Sequence, residues 1–173
     1  FFIQNLKNKI QSDNKFAFNA LSENNPQEIK DFALIQILSN GSAKDLERLF
    51  SLQITYNASM KPSLIQAFVA HSDVFNAQNL SDICKQMHFC AQDYVELAQQ
   101  SQNILQPDAW YKLFESLANN DEHAENALFY VMFELEMIEK AKERRALHGK
   151  DEYRLIDAYL DLKESGKHYP LDI

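Results

Sequence analysis

Apolar residues recur at helical intervals along almost the whole chain. Phe2, Ile3, Leu6 and Ile10 share one face of a helix over 2–11, and the polar run "SDN" at 12–14 ends it. A second short apolar segment follows at Phe16, Phe18 and Leu21. The stretch "SENNPQEIKDFALIQILSNGS" then carries a complete set of helix signals. Pro26 suits the first helical position, Glu28 suits the positive end of the helix dipole, and Asn40-Gly41 suits the stop. Ser42 and Asp45 form a capping-box pattern for the next helix, whose inner face is Leu46, Leu49 and Phe50. The most strand-like stretch, "ITYNAS" at 54–59, is short and has no partner, so it reads as a loop with Tyr56 exposed.

Further helices are expected over 62–72, 77–89, 92–104, 108–118, 122–147 and 152–165, with Gly149 and Gly166 as stops for the last two. The stretch "ALFYVMFELEMIEKAKERRAL" at 127–147 shifts from apolar to charged within a turn or two. Its seven-residue apolar run, Ala127 to Phe133, falls far short of the ~20 residues a membrane span requires. Asp121 resembles a helix cap, and Met137, Ile138 and Ala141 continue at helical offsets, so the simplest reading is one long core helix of ~39 Å over 122–147.

Three helices open with proline and repeat an apolar pair at the same offsets: Pro26-Ile29-Phe32, Pro62-Ile65-Phe68 and Pro107-Trp110-Leu113. Each is followed by a second helix, giving hairpins over 26–52, 62–89 and 107–147. The expected fold is all-α: an irregular helical bundle or a short α-solenoid-like stack of such hairpins, with the long central helix near 122–147.

Composition narrows this further. Three Gly and four Pro are too few for a fold rich in tight sheet turns, which supports helices throughout. With 173 residues and no Pro/Ser-rich linker, one domain over 1–173 is expected. The chain begins "FFIQNLKNKI" without an initiating Met, so it is read as a piece of a longer chain or a processed end. A formal charge of −8 argues against a protein built to grip nucleic acid phosphates, and it suits basic partners. Cys84 and Cys90 supply no disulfide framework, which makes a reducing, cytoplasmic setting the default.

The charged half of 122–147 offers the first candidate site. Lys140, Lys142, Arg144, Arg145 and Lys150 stand against Glu139 and Glu143, a local excess of three positive charges (five minus two) on an acidic chain. Such a contrast could dock an acidic protein or an anionic membrane surface, while the plainer reading is a solvated face with helical ion pairs. No aromatics interleave with these residues to stack bases, which lowers an RNA role further. The second candidate is an acidic/His group, Glu122, His123 and Glu125, read either as a polar helix start or as a metal-assisted active site.

Other chemistry is weaker. Cys84, His88 and Cys90 lack the second ligand cluster that zinc needs, and Cys84 lies on the apolar stripe of Leu80, Ile83 and Met87. The Glu-x-x-His pairs of di-iron bundles are absent, as are nucleotide-binding glycine loops and Gly-x-Ser-x-Gly. The leading expectation is therefore a non-enzymatic protein-interaction domain without a cofactor. It would bind another protein through an inter-helix groove or the basic end of 122–147. A helical enzyme with the acidic/His site is the alternative, followed by a regulatory or secreted module touching anionic membranes. Charge reversal at Lys140, Lys142, Arg144 and Arg145 is expected to slow association without unfolding.

Overall fold

The computed structural model describes residues 2–149 and 152–166. Among these residues there are eleven α-helices, joined by short turns, and no strand. The chain divides into two compact units, Phe1–His88 and Phe89–Ile173.

In the first unit, α1 (Phe2–Ser12) and α2 (Asn14–Ser22) meet at Asp13, whose side chain accepts the Lys15 N–H and caps α2. The "SDN" break is thus a real helix boundary. α3 (Gln27–Asn40) starts directly after Pro26 and buries Ile29, Ala33, Leu34, Ile37 and Leu38. α4 (Ala43–Phe50) opens with the expected Ser42–Asp45 capping box, and Asn14 Nδ2 donates to Asp45 Oδ2 at 3.1 Å, tying α2 to that cap. α5 (Lys61–Ala70) has Pro62 in its first turn, and α6 (Ala77–Gln86) opens with a reciprocal Asn76–Asn79 cap.

This unit packs as an irregular bundle organised by α3, which lies against α1, α2 and α5. Phe75 bridges it locally, its ring 4.9 Å from Phe50 and 5.3 Å from Phe68. Of the loop expected over 54–59, residues 54–57 form no regular element and Ala58–Met60 is a 3-10 turn, and Tyr56 is buried rather than exposed. Its N–H donates to Gln86 Oε1 at 3.2 Å, and burial pushes its phenol up to about 12.

Gly41 closes α3 in an extended conformation (φ −69°), so its role lies in its missing side chain rather than in a left-handed turn. A Cβ there would sit 2.4 Å from the Ile37 carbonyl oxygen, the acceptor of the Gly41 N–H. Gly41→Ala should therefore destabilise the first unit by about 1–3 kcal/mol, as overpacking against backbone does, with a lower urea midpoint by ellipticity.

In the second unit, α7 (Ala91–Ser101) and α8 (Pro107–Asn120) both pack on α9 (Glu125–Glu134). Trp110 and Phe114 lie in the core as their spacing predicts, and Trp110 Nε1 donates to buried Ser101 Oγ at 3.2 Å. α10 (Ile138–Ala146) and α11 (Arg154–Glu164) complete the unit.

The continuous helix over 122–147 does not form. Glu122–Ala124 is a 3-10 turn capped by Asp121, α9 runs from Glu125 to Glu134, and a break at Leu135–Met137 precedes α10. At the break Glu136 takes φ 56°, the Glu136 N–H donates to Phe133 O at 3.1 Å, and the Met137 N–H donates to Met132 O at 2.8 Å. That pair of bonds is a Schellman stop, which satisfies the last carbonyls of α9 and turns the chain. α9 itself is central, burying Ala127, Leu128, Phe129, Val131, Met132 and Phe133.

Candidate functional site

The break after α9 has a chemical consequence. On one straight helix, residues 19 apart would be separated by ~28 Å. Here Arg144 reaches back 19 residues to Glu125. Its Nε and Nη2 donate to Glu125 Oε1 and Oε2 at 2.6 and 2.8 Å, and its Nη1 donates to Asn119 Oδ1 at 2.9 Å. His148 Nε2 lies 2.8 Å from Glu125 Oε1.

Glu125 is the first residue of α9 and is only 2% exposed, so its charge needs both of these partners. The helix dipole at that end also favours an anion. Burial pushes the carboxyl up, but the hydrogen bonds and charges of Arg144 and His148 outweigh it and hold Glu125 below the ordinary glutamate value. Glu125 is therefore an acceptor only, and His148 Nε2 carries the hydrogen. The His148 ring in turn lies 4.8 Å from that of Tyr153, whose phenol is pushed up by burial first and by the Glu125 charge second.

A depressed carboxyl pKa contributes stability that is fully present above the unfolded value and is lost as pH falls through the folded one. The second unit should therefore lose stability on acidification from about 4.5, the ordinary glutamate value, downward. Glu125→Gln should flatten that part of the profile, read as urea midpoint against pH.

The Glu125 network forms one wall of a pocket of about 670 Å³. Asn119, Asn120, Asp121, Glu122, His123 and Asn126 line it from the end of α8 through the start of α9, and Glu152 and Tyr153 line it from beyond α10. Asp121 is fixed by accepting the Tyr94 hydroxyl at 2.6 Å and the His123 N–H at 3.1 Å. Glu122 and Glu152 are exposed and make no ion pair among the described residues. Among the described lining residues there is no Ser, Thr, Cys or Lys, and the acid/base groups held by hydrogen bonds are Asp121, Glu125 and His148.

The acidic/His candidates Glu122, His123 and Glu125 do line this single pocket. They are not gathered as ligands, since Glu125 is committed to Arg144 and His148. Among the described residues no three His, Cys, Asp or Glu side chains are grouped to hold a metal ion.

The basic candidates are engaged inside the second unit. Besides Arg144, Arg145 forks onto Asp157 at 2.7 and 2.9 Å and donates to the carbonyls of His148 and Gly149 at 3.3 Å. Lys142 pairs with Glu164 and with Glu139, and Lys140 sits 4.6 Å from the centre of the Tyr111 ring. Lys150 lies outside the described residues. Reversing all four described cations would break folded-state contacts, so the expectation of weaker association without unfolding does not suit Arg144 or Arg145.

Asn119, His148, Glu152 and Tyr153 belong to the pocket without having been singled out in the sequence, and Asp121 reads there as a helix cap. No spacing rule connects His148, Glu152 and Tyr153 with Glu125, because they lie beyond the turn at 135–137. Comparison of the chain with protein-family models, curated proteins and solved structures returns no match.

Proposed function

We propose that the chain is a non-enzymatic helical interaction module whose pocket at the head of α9 receives a basic segment of a partner protein. The observation that carries this reading is the charge of the pocket. Arg144 neutralises Glu125, while Asp121, Glu122 and Glu152 line the same cavity and make no ion pair among the described residues, Glu152 feeling the more distant charge of Arg145. Asn120 and Asn126 add amide oxygens of the kind that accept guanidinium or ammonium hydrogens, as Asn119 Oδ1 already does from Arg144. The chain's formal charge of −8 would speed the encounter with a basic segment. Neither Cys84 nor Cys90 is in a disulfide, in keeping with a reducing, cytoplasmic setting.

An array of short basic, acidic and uncharged peptides tests the reading. Wild type should retain basic peptides, and Glu122→Lys/Glu152→Lys should weaken them by about tenfold, as the loss of two exposed pairs implies. Equal retention of basic peptides by both proteins, or a preference for acidic ones, would contradict it.

A second reading draws on the placement of Glu122, His123 and Glu125 around one pocket: a helical enzyme with a metal-assisted site. Stabilisation by a divalent cation, abolished by Glu122→Gln and His123→Ala, would favour that reading over peptide binding. Membrane insertion finds no support, since no helix among the described residues is long and apolar enough to cross a bilayer.

A further inference from the structure

We infer that α10 is a strap, fastened by ion pairs rather than by apolar burial, that opens locally about the turn at Leu135–Met137. Of its nine residues only Ala141 is buried, and Leu147 just beyond it is 77% exposed. Its neighbours differ. α9 buries six apolar side chains, named above, and α11 buries Ile156, Tyr159 and Leu160. Segments that bury few apolar groups are the ones that open at low free energy while the rest stays folded.

What holds α10 is polar: Arg144 on Glu125 and Asn119, Arg145 on Asp157, and Lys142 on Glu164. His148, beyond its end, adds a second bond to Glu125. α9 and α11 meet independently of the strap, because Phe133 stacks on Tyr159 at 4.1 Å and Phe129 lies 6.1 Å from Tyr153. The Phe133–Tyr159 stack is the contact that can keep α9 and α11 together when α10 leaves its seat. The hinge is already defined by Glu136 at φ 56°, a conformation that a non-glycine side chain adopts at some cost.

Opening withdraws Arg144 and His148 from the pocket wall and leaves the Glu125 carboxylate facing the cavity. The pocket then has two states, one with Glu125 neutralised and one with it available. The opening does not depend on what the pocket binds. Its consequence rests on the proposed function: an incoming basic group would compete with Arg144 for Glu125.

Hydrogen exchange resolved by segment tests the strap without any ligand. In wild type the α10 amides should exchange faster than those of α9. In Glu125→Gln they should speed up by about tenfold or more, as loss of charged hydrogen bonds implies, and stay ahead of those of α9 and α11. Wild-type α10 amides as slow as those of α9, or α10 amides unmoved by the variant, would overturn the inference. If Glu125→Gln does not fold, Asp157→Asn carries the same test, because it releases Arg145 at a carboxylate that is 46% exposed. Failure of peptide binding with selective α10 exchange would reject the proposed function and keep the strap.

Discussion

Arg144→Ala will destabilise the second unit by about 3 kcal/mol, the lower end of the range for breaking a buried ion pair. The loss comes less from the attraction removed than from the charge left behind. Glu125 is 2% exposed, and without the guanidinium fork its Oε2 loses its hydrogen bond while Oε1 keeps only His148. That remaining contact is why the lower end applies. Arg144→Lys should recover part of the loss, since an ammonium supplies charge but not the planar fork. Replacing both partners with apolar residues of similar size should be far milder than Arg144→Ala alone. Chemical denaturation followed by fluorescence measures all three, because Trp110 is the sole tryptophan and lies in the second unit. A loss below about 1 kcal/mol for Arg144→Ala would mean that the pair is solvated, as surface pairs are.

Phe133→Ala should cost about 3–5 kcal/mol, the usual range for emptying a large aromatic site in a core. Phe133 is 1% exposed at the end of α9, its ring 4.1 Å from Tyr159 and 5.9 Å from Phe129. Truncation removes the area buried by Phe133 and the stack that joins α9 to α11, and neighbours held in helices cannot collapse fully into the gap. The loss should appear in Trp110 fluorescence as a lower midpoint. Ellipticity followed on the same samples reports both units. Coincident curves would support the single domain expected over 1–173, and separated curves would assign two folding units. A Phe133→Ala variant as stable as wild type would place that ring outside the core.

What the sequence made legible follows the range of the interactions involved. α4 is readable because its signals are local: Ser42 and Asp45 cap each other three residues apart, and Leu46 and Leu49 mark the buried face. α3 and α8 are readable for the same reason, through Pro26 and Pro107 at their heads. The break at 135–137 is not. α9 is apolar on nearly every side, so its pattern has no phase that could show where the helix stops. The residue that turns the chain is Glu136, and glutamate gives no hint of a left-handed conformation, where glycine or asparagine would.

The site inherits that blindness. Glu122, His123 and Glu125 are conspicuous as neighbours in the sequence, and they do line the pocket. The partners of Glu125, Arg144 and His148, are 19 and 23 residues beyond it and become neighbours only because the chain reverses. The same reversal gives Arg144 and Arg145, read in the sequence as candidate docking residues, partners inside the second unit. Tyr56 misled for a related reason: a tyrosine in a loop reads as exposed unless the loop is known to pack down, as it does here beside Gln86.

A double-mutant cycle between Glu125→Gln and Arg144→Ala, read by urea denaturation of the second unit, decides whether the chain reverses as described. The fold-back that builds the pocket predicts a coupling energy of about 1.5 kcal/mol or more between the two sites. Effects that add to within about 0.5 kcal/mol would place the two side chains far apart, as on the uninterrupted helix, and would contradict both the reversal and the pocket it creates.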